Sequence, residues 1–250
     1  MMSDVLTSRD GEVLTLRMNR AEKKNALTGA MYSALTEGLK AANADDGIGA
    51  IVILGQPGIF CAGNDIKDFI AFAMGGGIGQ PILDFLRALV ANEKPLVAGV
   101  DGAAIGIGTT MILHCDYAIA SPRAVFATPF VDLGLVPEAA SSLIVPQLMG
   151  NRLAFEMLAM GAKFSAERAR ETGLVNTIAE LDTLETVVRE TAEAIAAKPR
   201  EAVKLARKLI RGDQSAILLR IDEEAKLFSE RLMSKEARQA FEAFLAKGKS

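Results

Sequence analysis

Two short segments of this chain place backbone amides where they can act on a substrate. Phe60-Cys61-Ala62-Gly63-Asn64-Asp65-Ile66-Lys67 and Asp101-Gly102-Ala103-Ala104-Ile105-Gly106-Ile107-Gly108 each follow an apolar, strand-like run and lead into a helix-like run. A strand-to-helix turn leaves the first N–H groups of the helix unpaired and aimed outward, where they hold negative charge. Two such turns facing each other make a two-donor oxyanion hole. Either turn alone reads equally well as a tight turn that needs glycine for positive φ. A carbonyl polarised by two N–H donors has an acidic α-proton, because the enolate oxygen is held in place. Losing one such donor costs roughly 3–4 kcal/mol of barrier.

The elements that must carry these turns alternate along the first two-thirds of the chain. Glu12 to Asn19 alternates polar and apolar residues, as a half-buried strand does. Thr28 caps a helix-like stretch to about Ala44, and Ala50 to Leu54 is a buried strand. Asp65 starts a short helix that stops near Gly75-Gly76-Gly77, and Ile82 to Ala91 is amphipathic. Pro95 to Val100 is a second buried strand, Gly106 to His114 an interior helix, and Tyr117 to Ala120 and Val125-Phe126 short strands. From Glu138 onward the pattern is helical throughout: Ser165 to Thr172 with Gly173 as stop, Leu181 to Ala197, Arg200 to Ile210 and Gln214 to Ala246. The alternation gives an α/β class. No repeat of fixed period is present.

The pair of turns resembles that of the crotonase (enoyl-CoA hydratase/isomerase) superfamily, whose turns read roughly F-x-A-G-x-D and N-G-x-A-x-G-G-G. The first matches closely. The second departs, with Asp101 for Asn and Ile107 for the middle Gly. The resemblance runs from about Val13 to Lys247. It implies a crotonase-like spiral of ββα units over residues 1–195 and a C-terminal helical trimerisation region over 196–250. It also implies a homotrimer or a dimer of trimers. Carried over, the oxyanion donors are the N–H groups of Asn64 and Ile107. Ala62, Asp65, Ile66 and Lys67 then border the acyl-CoA. Phe244 and Lys247 loosely match a Phe and a Lys that reach the coenzyme A of a neighbouring subunit.

The acids beside the hole separate the family's reactions. Hydratases place a water with two glutamates. The positions that match them here are Thr110 and Phe130, the latter in Phe126-Ala127-Thr128-Pro129-Phe130. Instead, Leu135-Val136-Pro137-Glu138 puts an acid where hydratases usually carry glycine. That is the position of the single catalytic carboxylate in peroxisomal-type Δ3,Δ2-enoyl-CoA isomerases. Those enzymes are also similar in Ala62-Gly63-Asn64-Asp65, in Gly106-Ile107 and in Pro137-Glu138-Ala139-Ala140-Ser141-Ser142. The resemblance therefore implies an acyl-CoA isomerase that needs no metal or redox cofactor, coenzyme A being part of the substrate. One base on one face can take a proton from C2 and return it to C4. Phe130 makes that wall drier, which raises a carboxyl pKa, while a helix start after Pro137 lowers it. The sequence does not sign the sum, and an ordinary first-turn glutamate remains the plain alternative for Glu138.

Composition bounds the rest. Half of the 250 residues are hydrophobic and 24% are charged, enough for a large core. A net charge of −3 gives no general polyanion binder. The two cysteines, Cys61 and Cys115, have no metal-type spacing and point to a reducing compartment. Met1 to Gly11 lacks an apolar signal core, no run is long enough to span a membrane, and the chain ends Lys247-Gly248-Lys249-Ser250, so a cytoplasmic location is expected. His114, the only histidine, falls on an apolar stretch and reads as core or as support for the site. A basic stripe at 200, 204, 207, 208 and 211 could draw phosphates or RNA, but a solvated face opposite Val203, Ala206 and Ile210 is the plainer reading. No nucleic-acid or membrane partner is expected. Met74 to Gly79 is expected to form a loop over the acyl site. Gly102 to Gly108 lacks dinucleotide spacing. Ring-type acyl-CoA isomerisation, weak hydration and a non-catalytic RNA-binding relative are the other readings.

Overall fold

The computed structural model describes residues 3–74 and 77–247, apart from the side chains of residues 73, 74, 244, 245 and 247. The chain opens with a hairpin, β1 (Val5–Asp10) and β2 (Val13–Met18), and a long helix, α1 (Gly29–Ala44). Three strand pairs follow, each ahead of helix: β3 (Ala50–Leu54) and β4 (Ile59–Cys61) before α2 (Ile66–Met74) and α3 (Gln80–Ala91). Next come β5 (Leu96–Val100) and β6 (Ala103–Ile105) before the one-turn α4 (Ile107–Thr110). Then β7 (Tyr117–Ala120) and β8 (Val125–Ala127) lead to α5 (Ser141–Leu158). The remainder is β9 (Phe164–Ser165), α6 (Ala166–Glu171), β10 (Thr177–Ile178) and four helices: α7 (Leu184–Ala196), α8 (Arg200–Arg211), α9 (Ser215–Leu232) and α10 (Lys235–Lys247).

Within each pair the two strands go to different sheets. The order is β1-β2-β3-β5-β7-β10 in one and β4-β6-β8-β9 in the other. Parallel neighbours β3 and β5 are buried along their whole length, which is why they read as continuous apolar runs. The turns after β4 and β6 leave the same small sheet side by side, since β4 pairs parallel with β6. This is the spiral of ββα units.

Two expectations are corrected and one strand is added. β1 left no clear signal because it is an edge strand with only Val5 buried. The region after Glu138 is not wholly helical, because β9 and β10 each add two residues to a sheet edge. The long C-terminal stretch breaks at Met233-Ser234 into α9 and α10. Thr28 caps α1 through Met31 N–H (3.2 Å) and Ser165 caps α6 through Arg168 N–H (3.2 Å), as their residue types dictate.

Candidate active site

The first turn is stitched to residues 24–27. Ala62 N–H donates to Lys24 O (3.0 Å), Leu27 N–H to Gly63 O (2.8 Å) and Asp65 N–H to Leu27 O (2.8 Å). Asn25, fully buried, clamps the strand before it: its amide donates to Ile59 O and Phe60 O, both at 3.1 Å, and its Oδ1 accepts from Arg20 N–H. This pairing engages the groups flanking Asn64 and leaves the Asn64 N–H with no protein acceptor among the described residues. The Asn64 side chain is fixed from α1, whose Tyr32 hydroxyl donates to its Oδ1 at 2.6 Å. Asp65 pairs with Arg20 (2.7 Å) and accepts from Lys67 N–H (3.0 Å), so it is the helix-start carboxylate expected. Ala62 and Ile66 are half-buried beside it, and Lys67 is exposed.

The second turn lies against the first. Gly106 has φ +56 and hands the chain to α4, whose first N–H, that of Ile107, also has no protein acceptor among the described residues. A Cβ on Gly106 would stand 4.0 Å from Gly63 Cα, and one on Gly63 would stand 3.2 Å from Ile105 O. A Cβ on Gly108 would press to 2.6 Å on Cys61 O, so glycine is needed where the turns meet. The Ile107 side chain is buried in the main core, and that is how isoleucine is tolerated where only the amide matters. Phe130, 5% exposed, sets its ring 3.9 Å from the Gly106 Cβ position and walls the turn. Asp101, the other departure, braces the strand ends: it accepts from Gly58 N–H, Ser121 and both sides of the Arg123 guanidinium. Arg123 holds its carboxyl down at about 2.

Glu138 meets the same four-residue helix. Thr110, at the end of α4, donates its hydroxyl to Glu138 Oε1. Glu138 is 3% exposed, and burial pushes its carboxyl up to about 8, against the Thr110 bond and with help from the charge of Glu224. The opposing pulls left open by the sequence are thereby signed. The expected helix start at Glu138 is corrected: α5 begins at Ser141, after Ala139 and Ala140 with φ of +61 and +56. The dipole of α5 does not act on Glu138 as a first-turn residue, so burial decides. His114 supports the turn, its Nε2 lying 2.9 Å from Ala139 O. A carbonyl only accepts, so this nitrogen carries the proton. Burial lowers the ring to about 4 and keeps it neutral. Thr110, Tyr32 and Glu224 were not read as site residues. Thr110 alone left a signal, since it stands three residues after the Ile107 donor.

Other expectations resolve as follows. Of the basic stripe, Arg207 and Arg211 turn in to Asp116 and Arg200 pairs with Glu12, while Lys204, paired with Glu93, and Lys208 stay exposed. Ala206 and Ile210, expected on the covered side, are exposed as well, Ile210 at 85%, so the expected split into a solvated basic face and a covered apolar one is corrected. The side chains of Phe244 and Lys247 lie outside the described residues, as do Gly75 and Gly76 of the expected loop. Ile78 of that loop is held by α9, its N–H donating to Ser229 at 3.1 Å. No cluster of metal-binding side chains occurs among the described residues, and no helix there is long and apolar enough to cross a membrane.

The two turns lie side by side, each with one backbone N–H without a protein acceptor among the described residues, and a buried carboxylate meets the helix after the second. The family model described as enoyl-CoA hydratase/isomerase matches residues 8–250, and the chain belongs to that family. It is 34% identical to enoyl-CoA delta isomerase 2 of Rattus norvegicus over 97% of this chain and 63% of that protein, so it spans less than two-thirds of that relative. It is 30% identical to 2,3-dehydroadipyl-CoA hydratase of Escherichia coli, over 98% of this chain and 97% of that one. The solved structure of Pseudomonas aeruginosa OdaA superposes with a TM-score of 0.94 at 38% identity, covering 98% of this chain and 99% of that one. The crotonase fold follows from this likeness.

Proposed function

We propose that the chain is an acyl-CoA isomerase that moves a β,γ (Δ3) double bond to the α,β (Δ2) position. The observation that carries this is the solitary state of Glu138. Glu138 and Glu224 are the two buried acids among the described residues. Both oxygens of Glu224 are occupied by backbone donors, Ala140 N–H (2.6 Å) and Ser142 N–H (3.0 Å). One carboxylate is therefore free to move protons, whereas hydration needs two acids on a water. Thr110 and Phe130 hold the positions where those acids would stand.

The steps balance with one base. The ionised Glu138 takes a C2 proton from the 3-enoyl thioester. The electron pair moves to the carbonyl oxygen, held by the Asn64 and Ile107 N–H groups. The resulting dienolate collapses, the double bond forms between C2 and C3, and Glu138 returns the proton to C4. A carboxyl near 8 is matched to both halves, since it gives up and takes back a proton near neutral pH. Coenzyme A enters as part of the substrate, along Ala62, Asp65, Ile66 and Lys67. Assembly as a trimer or a pair of trimers would cover the exposed Leu205, Leu209 and Ile210 of α8. The direct test is to replace the base. Glu138→Gln should lower kcat by a factor of roughly 10²–10⁴ with acyl-CoA affinity nearly unchanged. Activity within about threefold of wild type would remove Glu138 from the mechanism.

A further inference from the structure

The turn that aims Glu138 is not self-supporting. Ala139 and Ala140 both lie in the left-handed region, at φ +61 and +56, with no glycine to ease it. Such positions are strained for residues with a Cβ and persist only where their surroundings impose them. The residue before α5 is Ala140, which has no side chain to cap the helix. A carboxylate from a helix far along the chain supplies the cap. Glu224, in the middle of α9 and 5% exposed, takes Ala140 N–H on Oε2 and Ser142 N–H on Oε1. Arg220, one turn earlier on α9, adds a bond to the Ser142 hydroxyl at 2.9 Å. His114 bonds Ala139 O, so Ala139, Ala140 and Ser142 are gripped from two elements.

We infer that Glu224 is a positioning residue for Glu138: the C-terminal helix α9 reaches back in the same chain and sets the place and the charge environment of the base. This rests on the reading of Glu138 as the proton carrier. The groups around Glu138 make its electrostatic part separable. Tyr32 from α1, Cys61 from β4 and His114 are neutral near neutral pH, the first two with proton affinities raised by burial and the third lowered by it. Burial raises the carboxyl of Glu224 itself, against its bonds to Ser142 and Ala140 and the charge of Arg220, which pairs with Glu223 at 2.9 Å. Glu224 is then the charge that acts on Glu138, and it acts upward. The C-terminal region is thus part of each subunit's own catalytic apparatus as well as a candidate surface for assembly.

The test compares Glu224→Gln with wild type and with Glu138→Gln, reading kcat against pH on a 3-enoyl-CoA and the affinity for a saturated acyl-CoA. Glu224→Gln keeps the size but loses the charge and one of the two acceptors. It should lower kcat by about tenfold or more, the scale on which misplaced groups act. It should also move the midpoint of the rising acid limb downward, by up to about one unit, with acyl-CoA affinity preserved. A merely structural role would lower kcat and leave the midpoint in place. If Glu224→Gln does not accumulate as folded protein, Glu224→Asp carries the test. It keeps the charge but shortens the reach, so kcat should fall while the midpoint shifts from its wild-type value as the charge moves relative to Glu138. A fall in kcat with an unmoved midpoint in either variant would overturn the inference in favour of a merely structural role. Wild-type kcat and midpoint in Glu224→Gln, or wild-type kcat in Glu224→Asp, would overturn the inference. Glu138→Gln run alongside separates the two claims: if it is inactive while Glu224→Gln behaves as wild type, only the role of Glu224 is wrong.

Discussion

At the scale of residues, the proposed chemistry turns on what Glu138 feels. Glu138 must be ionised to take a proton, so kcat/KM should rise with pH through about 8. The Thr110 hydroxyl stabilises the ionised form. Thr110→Val keeps the shape and removes that bond, so it should push the midpoint above its wild-type value. It should also cost roughly 0.5–1.5 kcal/mol of stability near neutral pH, where the carboxyl keeps its proton and the bond joins neutral groups. A pH–rate profile that does not move would mean that Thr110 fills space only. Asn64, Ile107 and Glu138 were legible in the sequence because glycine turns and the motif around Pro137-Glu138 mark them. Thr110 was legible only as a missing acid. Its role appears once α4 is seen to be a single turn that brings residue 110 and residue 107 to the same site. Tyr32 and Glu224 were illegible, lying 32 and 84 residues from the groups they hold, with the pairing made by the fold alone.

At the scale of elements, buried strands and capped helices could be read directly. Continuous apolar runs mark β3 and β5, and Thr28 and Ser165 mark helix starts. The start of α5 could not, since Pro137-Glu138 has the composition of a first turn while the cap comes from α9. The face of α8 was misread for a related reason: its arginines find acids on the core, and periodicity does not say which face meets what. The turn after β6 gives a prediction at this scale. Gly106 holds φ +56, but a Cβ there would meet nothing closer than 3.9 Å. Gly106→Ala should therefore cost backbone strain rather than a clash, roughly 1–3 kcal/mol. That strain falls on the peptide presenting the Ile107 N–H. Its kcat should drop more than its stability to denaturant does, and an unchanged kcat would place the oxyanion elsewhere.

At the scale of the whole molecule, Glu138 links function to stability. Its carboxyl sits at about 8 when folded against 4.5 in the free side chain. The folded state keeps a proton that the unfolded chain releases, so this contribution is whole below about 4.5 and is lost as pH rises toward 8. Glu138→Gln removes the dependence. Relative to wild type, its Tm should therefore rise by at least about 2 °C between pH 5 and pH 9. A constant difference would mean that the carboxyl is not held up. The central claim is that one buried base and two backbone donors make an isomerase rather than a hydratase. It is tested by offering one preparation both 3-hexenoyl-CoA and crotonyl-CoA, and comparing the rate of double-bond shift with the rate of hydration. Isomerisation far faster than hydration is the expected result. A hydration rate equal to or above the isomerisation rate would contradict it.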